Sequence, residues 1–234
     1  MFDQDRLRAD SIRAHTQRFL PLILALWLLA LVPAGRKLMA FEWTTGATGL
    51  TPTHLTGPIS NGLSQNEGHS ALLVVAIHPL CSCTRATLKE LEDAAPNWKQ
   101  PYRTTFLIYK SKPQPDTITP ASDFDWHHAA YIRDAQKALN AEVVDDLNGE
   151  QAAKLGALTS GEVLLYSAPD QHGSRHLVFS GGVTAGRGME GENTGIATLS
   201  QALNAAFTQP GAHAPVYGCG LAALSNSTPR GLAK

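Results

Sequence analysis

An uncharged apolar segment near the N-terminus constrains this chain more than any other feature. Phe19 to Gly35 reads FLPLILALWLLALVPAG, 17 residues without a charged side chain. At about 1.5 Å per residue, such a helix is slightly shorter than the ~30 Å hydrocarbon core of a bilayer, and flanking basic side chains can extend to the interface. A core helix of a soluble domain normally has a polar stripe, and this segment has none. The sequence therefore predicts a transmembrane anchor at 19–35.

Basic residues on the two sides of the anchor predict its orientation. The N-terminal flank carries four arginines, Arg6, Arg8, Arg13 and Arg18. The other flank carries Arg36 and Lys37. By the positive-inside rule, residues 1–18 form a cytoplasmic tail, and the rest of the chain is extracytoplasmic, in the periplasm. A cleaved signal peptide, cut near Val32-Pro33-Ala34, is the alternative; in both cases disulfides can persist around the following domain.

Composition argues against several classes of protein. The 234 residues include 19 Lys and Arg against 20 Asp and Glu, so no excess of positive charge favours binding to nucleic acid. The three cysteines, Cys81, Cys83 and Cys219, are too few for a disulfide scaffold, and their spacing matches no four-ligand zinc site. No metal or other cofactor is therefore predicted as a resident group.

The rest of the chain alternates between predicted strands and helices. Residues 36–68, rich in Thr, Gly and Pro, are predicted to be a linker and a lead-in to the domain, and 222–234 a flexible tail. Within a single domain at 69–221, strands are predicted at 71–77, 104–109, 142–144, 163–166 and 176–179. Helices are predicted at 84–93, at 123–139 with Ser122 as N-cap, at 150–155 and around 196–207.

Helices between strands require a largely parallel sheet with covered faces, and the last two strands form an antiparallel hairpin. The predicted fold is α/β, a central mixed sheet flanked by helices.

The chemistry is predicted at the first strand-to-helix turn, where Cys81 and Cys83 lie one residue apart. Free N–H groups and the helix dipole stabilise a thiolate at a helix N-terminus, and Arg85 is predicted to lower the thiol pKa further. Cys81, nearer the exposed turn, is the predicted nucleophile. Cys83 is the predicted thiol that resolves the mixed disulfide. The sequence thus favours a thiol–disulfide oxidoreductase with a thiol or disulfide protein as its partner.

Other interpretations stay open at this point. A Cys-x-Cys disulfide requires a bent backbone, so one of the two cysteines can pair with Cys219 instead. Two buried cysteines that only fill space are a further possibility. His78 with Cys83 and Cys219 would make a soft-metal site, which is typical of a Cu(I)-handling metallochaperone. A domain that binds partners without catalysis is the remaining alternative.

Several motifs resemble a known family. The chain resembles the RedB proteins, which are similar to the membrane-anchored TlpA-like thioredoxins. The shared pieces are 78–86 (HPLCSCTRA), 159–161 (TSG), Tyr166, 179–184 (FSGGVT), Arg187-Gly188, Gly191, Asn193 and 217–219 (YGC). The resemblance implies a thioredoxin-like domain behind one membrane anchor and reactive cysteines at this turn.

Two features depart from the wider thioredoxin pattern. Only Ser82 separates the cysteines, and Thr159-Ser160-Gly161 stands where thioredoxins have a cis-proline. The Gly181–Gly195 loop lacks the Gly-Lys-Ser/Thr of a phosphate-binding loop and is predicted to use glycine for positive φ angles, with Arg187 in a salt bridge. Asp145 and Asp146 are predicted to lie in a solvated loop.

Overall fold

The computed structural model describes residues 2–56, 70–112, 126–205 and 211–221, with side chains described from residue 19 onward except at 127. These residues belong to two compact units, Met1–Thr44 and Thr45–Lys234. The predicted tail at 222–234 and the predicted N-cap Ser122 lie outside the described residues.

The first unit is a long helix, α1 (Phe2–Glu42). Its part from Phe19 to Glu42 is 24 residues long with a mean hydropathy of 1.9, and it is long and apolar enough to cross a membrane. The apolar side chains of this part are exposed rather than packed in a protein core. The helix continues past the predicted end of the anchor, so residues 36–42, predicted as linker, are helical. Leu38, Met39 and Ala40 are good helix formers, and no helix-breaking residue follows Gly35 until Gly46.

The second unit is built on a seven-stranded mixed sheet with the order β1-β6-β5-β2-β3-β4 and with β7 beside β6. The strands are β1 (His54–Leu55), β2 (Ala71–Ile77), β3 (Tyr102–Lys110), β4 (Ala141–Leu147), β5 (Glu162–Tyr166), β6 (Arg175–Gly182) and β7 (Ala212–His213). The pairs β2–β3, β3–β4 and β6–β7 are parallel, whereas β2–β5, β5–β6 and β1–β6 are antiparallel. This arrangement confirms the mixed sheet and the late hairpin.

Within the described residues of this unit, four helices follow the strands: α2 (Ser82–Ala94), α3 (Ala130–Ala138), α4 (Glu150–Lys154) and α5 (Thr194–Asn204). Single turns of 3₁₀ helix lie at Ala95–Asn97 and Trp126–His128. The five predicted strands are all present, at their predicted bounds or longer. Sequence analysis missed β1 and β7, since two-residue strands leave no periodic pattern.

The prediction of one continuous helix over 123–139 is wrong. Helix α3 begins only at Ala130, because Ala129 is extended, with φ −63° and ψ 128°. That ψ directs the chain out of the 3₁₀ turn at Trp126–His128 and interrupts the hydrogen-bond ladder of a longer helix.

The sheet separates two apolar layers. On one face, alternate residues of β2 (Leu73, Val75 and Ile77) pack with side chains of α2, α3 and α5. On the other face, Val74 and Ala76 pack with α4, with Leu55 of the lead-in and with Leu221. The lead-in therefore lies against the domain, as predicted, and the C-terminal segment covers the same face. The first residues of the lead-in lie beside the C-terminal segment, since the Gly46 N–H donates to the carbonyl of Val216 at 2.8 Å.

Candidate functional site: a three-cysteine cluster

Cys81 lies at the junction between β2 and α2, as predicted. It is the N-cap residue of α2, with an extended backbone, and its N–H donates to the carbonyl of His78 at 3.0 Å. The carbonyl of Cys81 accepts the Thr84 N–H at 3.2 Å. Cys83 follows inside the first turn of the helix. Cys81 therefore stands at the helix start, and the N–H of Cys83 reaches its sulfur.

The C-terminal segment 217–221 brings Cys219 to the same junction. The Ser160 N–H donates to the carbonyl of Cys219, and the Leu221 N–H donates to the carbonyl of Leu158, both at 2.9 Å. These bonds make a short antiparallel bridge beside the start of β5. The hydroxyl of Ser160 accepts the His78 N–H at 2.9 Å, which connects this bridge to the turn before Cys81.

Close contact at this bridge requires a glycine at 218. A Cβ atom at Gly218 would overlap the carbonyl oxygen of Ser160. The glycine thus permits the C-terminal segment to approach the 158–160 backbone closely enough for Cys219 to meet Cys81.

The three thiols form one hydrogen-bonded cluster around Cys81, and all three are reduced. The thiol of Cys83 donates to the Cys81 sulfur, as do the Cys219 thiol and the backbone N–H groups of both residues. These donors outweigh burial and lower the pKa of Cys81 to about 4. Donation to Cys81, together with burial, raises the pKa of the Cys83 thiol far above its usual range. Cys81 is thus the thiolate of the cluster.

The loop after β6 supplies two more groups. Arg187 Nη1 donates to the carbonyl of Gly218 at 2.6 Å. Burial and the charge of Cys81 raise the pKa of Cys219, and the adjacent Arg187 opposes them. The backbone N–H of Gly188, a residue with φ +67°, reaches the Cys83 sulfur. The loop uses positive φ, as predicted, and it also contacts two of the three cysteines, which sequence analysis did not anticipate.

Exposure of the cysteines differs from the prediction. Cys81 and Cys83 are both buried, with 3% and 2% of their surface accessible, whereas Cys219 is partly exposed. The argument that Cys81 is the nucleophile because it is nearer the surface is therefore wrong. The segment 217–221 lies against Cys81 through Cys219, and the loop at Arg187-Gly188 lies against Cys83 through the Gly188 N–H. The hydrogen bonds to Cys81, and not its exposure, distinguish it from Cys83.

Arg85, the third predicted site residue, contacts an aromatic ring. Its guanidinium lies 4.7 Å from the centroid of the Tyr131 ring. The Tyr131 hydroxyl donates to the carbonyl of Pro79 at 2.6 Å, in the turn that precedes Cys81. Arg85 thus connects to the turn through Tyr131, and its effect on the Cys81 thiolate stays a prediction.

His78 supports the turn from inside the domain. Its Nδ1 accepts the Leu80 N–H at 3.2 Å, and its ring stacks on Tyr109 with 5.0 Å between ring centroids. Burial lowers the pKa of His78, which favours the neutral ring. His78 therefore fixes the turn before Cys81 from a buried position. Among the residues that the structure describes, no group of three His, Cys, Asp or Glu side chains has the geometry to hold a metal ion.

Two acidic residues near this edge are buried. Asp146 lies in β4, and its carboxylate accepts the N–H groups of Gln151 and Ala152 at 2.8 and 2.9 Å. The predicted loop is wrong for both Asp145 and Asp146, since both lie in β4, and Asp146 is also buried because its carboxylate caps α4. Asp145 pairs with Lys110 at 2.6 Å. Glu162, which sequence analysis missed, is buried at the start of β5, and burial raises its pKa to about 7.

Residues 159–161 adopt a backbone without a cis peptide bond, as the absence of a proline predicts, and the described ranges as a whole contain none. Gly161 has φ +88°, and its N–H donates to the carbonyl of Ala76 at 2.8 Å. Ser160, to which sequence analysis gave no role, connects this segment to the site: its hydroxyl accepts the His78 N–H at 2.9 Å and lies 2.6 Å from the Thr84 hydroxyl.

Comparison with known proteins adds little to this geometry. No family model matches the chain, and no curated protein does. A hypothetical protein from Sinorhizobium meliloti 1021 is similar in structure, with 20% identity and a TM-score of 0.44, over 66% of this chain and 80% of that one. An uncharacterized conserved protein from Geobacillus kaustophilus is similar with 13% identity and a TM-score of 0.45, over 77% of this chain and 93% of that one. TM-scores below 0.5 carry no argument about fold or function.

Proposed function

We propose that this protein is a membrane-anchored, extracytoplasmic thiol–disulfide oxidoreductase with a thioredoxin-like domain. The observation that carries the proposal is the set of donors around the Cys81 sulfur, which lowers the pKa of Cys81 to about 4. Because the thiolate is the attacking form of cysteine, such a sulfur is reactive at neutral pH. A cysteine that only fills space in a core does not need hydrogen-bond donors, whereas the Cys81 sulfur accepts from two thiols and two backbone N–H groups.

The reaction begins at Cys81. Its thiolate attacks one sulfur of a partner's disulfide, the partner's S–S bond breaks, and the second partner sulfur leaves as a thiolate that takes up a proton. Cys81 is then joined to the partner in a mixed disulfide and carries no charge. Access to Cys81 requires displacement of the segment 217–221, which lies against it through Cys219.

Cys83 is the predicted resolving thiol. Its pKa is raised chiefly by its hydrogen bond to the Cys81 thiolate, so the cause disappears once Cys81 is in a mixed disulfide. Cys83 can then lose its proton and attack the Cys81 sulfur, which releases the partner's remaining thiol and leaves a Cys81–Cys83 disulfide. The N–H of Gly188 stabilises the Cys83 thiolate that this step needs.

The location outside the cytoplasm rests on α1 and on the charges around it. The helix can span a bilayer, and the four arginines before Phe19 favour a cytoplasmic N-terminus. Extracytoplasmic compartments permit disulfides to form and persist, as this chemistry requires. The resemblance to RedB and TlpA-like proteins supports the same assignment.

Turnover of a disulfide substrate tests the proposal. The full-length protein in detergent is supplied with a dithiol reductant and a fluorogenic disulfide peptide, and the rate above the uncatalysed background is measured. We expect Cys81→Ser to abolish this rate, and Ser82→Ala, which changes the exposed neighbour, to retain most of it. If Cys81→Ser turned over as fast as the unmodified protein, the assignment of the nucleophile would be wrong. Absence of turnover in the unmodified protein would favour a binding module.

A further inference from the structure

We propose that Cys219 is the thiol of the same redox site that faces the electron donor: it replaces Cys83 in the disulfide with Cys81, and the resulting Cys81–Cys219 bond is the one that an external dithiol protein reduces. This proposal rests on the proposed function, since it assigns the route by which electrons reach Cys81.

The placement of Cys219 is held from several sides. Its backbone is joined to Ser160, its neighbour Gly218 is held by Arg187, and its thiol and N–H both donate to the Cys81 sulfur. Cys219 thus contacts the central sulfur in the reduced protein, so little rearrangement is needed to form a bond between them. Formation of this disulfide would connect the C-terminal segment to the start of α2.

Exposure favours Cys219 as the sulfur that meets a protein donor. Cys81 and Cys83 are buried, and Cys219 is the partly exposed member of the cluster. A thiolate of another protein attacks a disulfide along the S–S axis and needs access to one sulfur only. In a Cys81–Cys83 disulfide both sulfurs are buried, whereas a Cys81–Cys219 disulfide presents one sulfur at the surface.

The leaving group also favours this route. Attack on the Cys219 sulfur expels Cys81, and a thiol of low pKa leaves faster than one of high pKa. The donors that make Cys81 a good nucleophile in the reduced protein therefore make it a good leaving group in the oxidised one. Attack on the Cys81 sulfur would instead expel Cys219, whose pKa is raised.

Electrons pass from the donor to the protein in three thiol–disulfide exchange steps. The Cys219 thiol loses a proton and attacks the Cys81 sulfur of the Cys81–Cys83 disulfide, and Cys83 leaves and takes up a proton. A thiolate of the donor dithiol then attacks Cys219, the Cys81–Cys219 bond breaks, and its electron pair stays on Cys81. The second donor thiol loses a proton and attacks the first donor sulfur, and Cys219 leaves and is protonated. The donor is oxidised to a disulfide, and the protein regains three reduced cysteines.

Mapping of the disulfides tests this proposal. The full-length protein in detergent is oxidised with a graded disulfide buffer, its free thiols are blocked with a maleimide, and it is digested with trypsin without reduction. Cleavage after Lys37 and Arg85 gives a peptide with Cys81 and Cys83, and cleavage after Arg187 and Arg230 gives a peptide with Cys219. We expect these two peptides to be linked in the unmodified protein and in Cys83→Ser, and unlinked in Cys81→Ser.

A variant outside the cysteines and a rate measurement separate the outcomes. Gly218→Ala, whose Cβ would overlap the Ser160 carbonyl, should reduce the linked species about tenfold while Cys81–Cys83 still forms. Cys219→Ser should slow reduction of the oxidised protein by a dithiol protein such as a thioredoxin about tenfold.

An internal Cys81–Cys83 disulfide with Cys219 always blocked by maleimide would overturn this inference and leave the proposed function intact. If neither disulfide formed, both proposals would fail.

Discussion

Arg187 Nη1 donates to the carbonyl oxygen of Gly218 at 2.6 Å, and the same guanidinium lies beside the Cys219 thiol. One side chain of the glycine-rich loop therefore holds the backbone of the C-terminal segment and lowers the pKa of the thiol that this segment carries. Since Cys219 in turn contacts Cys81, the loop, the segment and the start of α2 meet at one cluster of sulfur atoms.

Replacement of this arginine should change the reactivity of Cys219. We expect Arg187→Gln to raise the pKa of Cys219, because the positive charge that opposes burial and the Cys81 thiolate is removed. Arg187→Lys keeps the charge and should retain part of the effect. The pH dependence of maleimide labelling at Cys219, followed by mass spectrometry, measures it. An unchanged labelling profile in Arg187→Gln would show that the arginine acts only on the Gly218 carbonyl.

Removal of the Cys83 thiol should raise the pKa of Cys81. A hydrogen bond to a charged acceptor contributes about 1.5–3 kcal/mol, so Cys83→Ala should raise this pKa by about one to two units. Cys83→Ser keeps a donor of similar size and should retain most of the depression. The ultraviolet absorbance of the thiolate as a function of pH reports the titration.

A control for this titration is the Cys81→Ser variant, which should lose the low-pH thiolate signal entirely. If Cys83→Ala titrated at the same pH as the unmodified protein, the backbone N–H groups of residues 83 and 219 and the Cys219 thiol would account for the low pKa without the Cys83 thiol.

Arg85 offers a test of a sequence-based prediction that the geometry leaves open. Its guanidinium packs over Tyr131, and the donors on the Cys81 sulfur come from Cys83 and Cys219. We expect Arg85→Gln to raise the Cys81 pKa by less than Cys83→Ala does, because an exposed charge is screened by solvent and salt. Titration of Cys81 in both variants, at low and high ionic strength, gives the comparison. An increase equal to that of Cys83→Ala would make Arg85 a principal stabiliser of the thiolate.

Membrane topology can be tested with one cysteine on each side of the predicted anchor. We expect a cysteine placed at Ser11 to be inaccessible to a membrane-impermeant maleimide in intact cells, and one placed at Gln171, an exposed position in the turn between β5 and β6, to be labelled after the outer membrane is permeabilised. Both are introduced into a variant with all three native cysteines replaced by serine. The reverse pattern would place the domain in the cytoplasm.

The periodic elements of the fold could be predicted from sequence, because burial leaves a pattern. The unbroken run Ala71–Ile77 indicated a strand covered on both faces, and the strand is present with the same bounds. The break at Ala129 could not be predicted, since it depends on the path of the chain and not on a repeat in the sequence.

The site was predictable only in part, for a physical reason. Cys81 and Cys83 are close in sequence and follow a strand, so local structure alone brings them together. Cys219 reaches them through its backbone bond to Ser160 and through Arg187, contacts between residues far apart in the chain. The burial of Cys81 results from the same long-range contacts, and this is why the expectation of an exposed thiol was wrong.

The buried carboxyl of Glu162 should make stability depend on pH. Its Oε2 accepts the Leu158 N–H at 3.2 Å, yet burial raises its pKa from 4.5 to about 7. Because the folded state holds this proton more tightly than the unfolded state does, the contribution to stability is complete below about pH 4.5 and is lost as the pH rises to about 7. The loss amounts to about 3 kcal/mol.

Glu162→Gln isolates this contribution. Cys81 acts in the opposite sense, since its lowered pKa adds stability as the pH rises, but this term is common to both proteins and cancels in their difference. We expect the variant to gain stability relative to the unmodified protein between pH 5 and pH 8, by up to about 3 kcal/mol. Urea denaturation of the full chain in detergent measures the free energy of unfolding at each pH.

Glu142→Gln, on the exposed side of β4, is the matched control and should show no such difference. A constant difference between Glu162→Gln and the unmodified protein across this range would mean that the carboxyl is ionised in the folded state throughout, held by the N–H groups of Leu158 and Thr159.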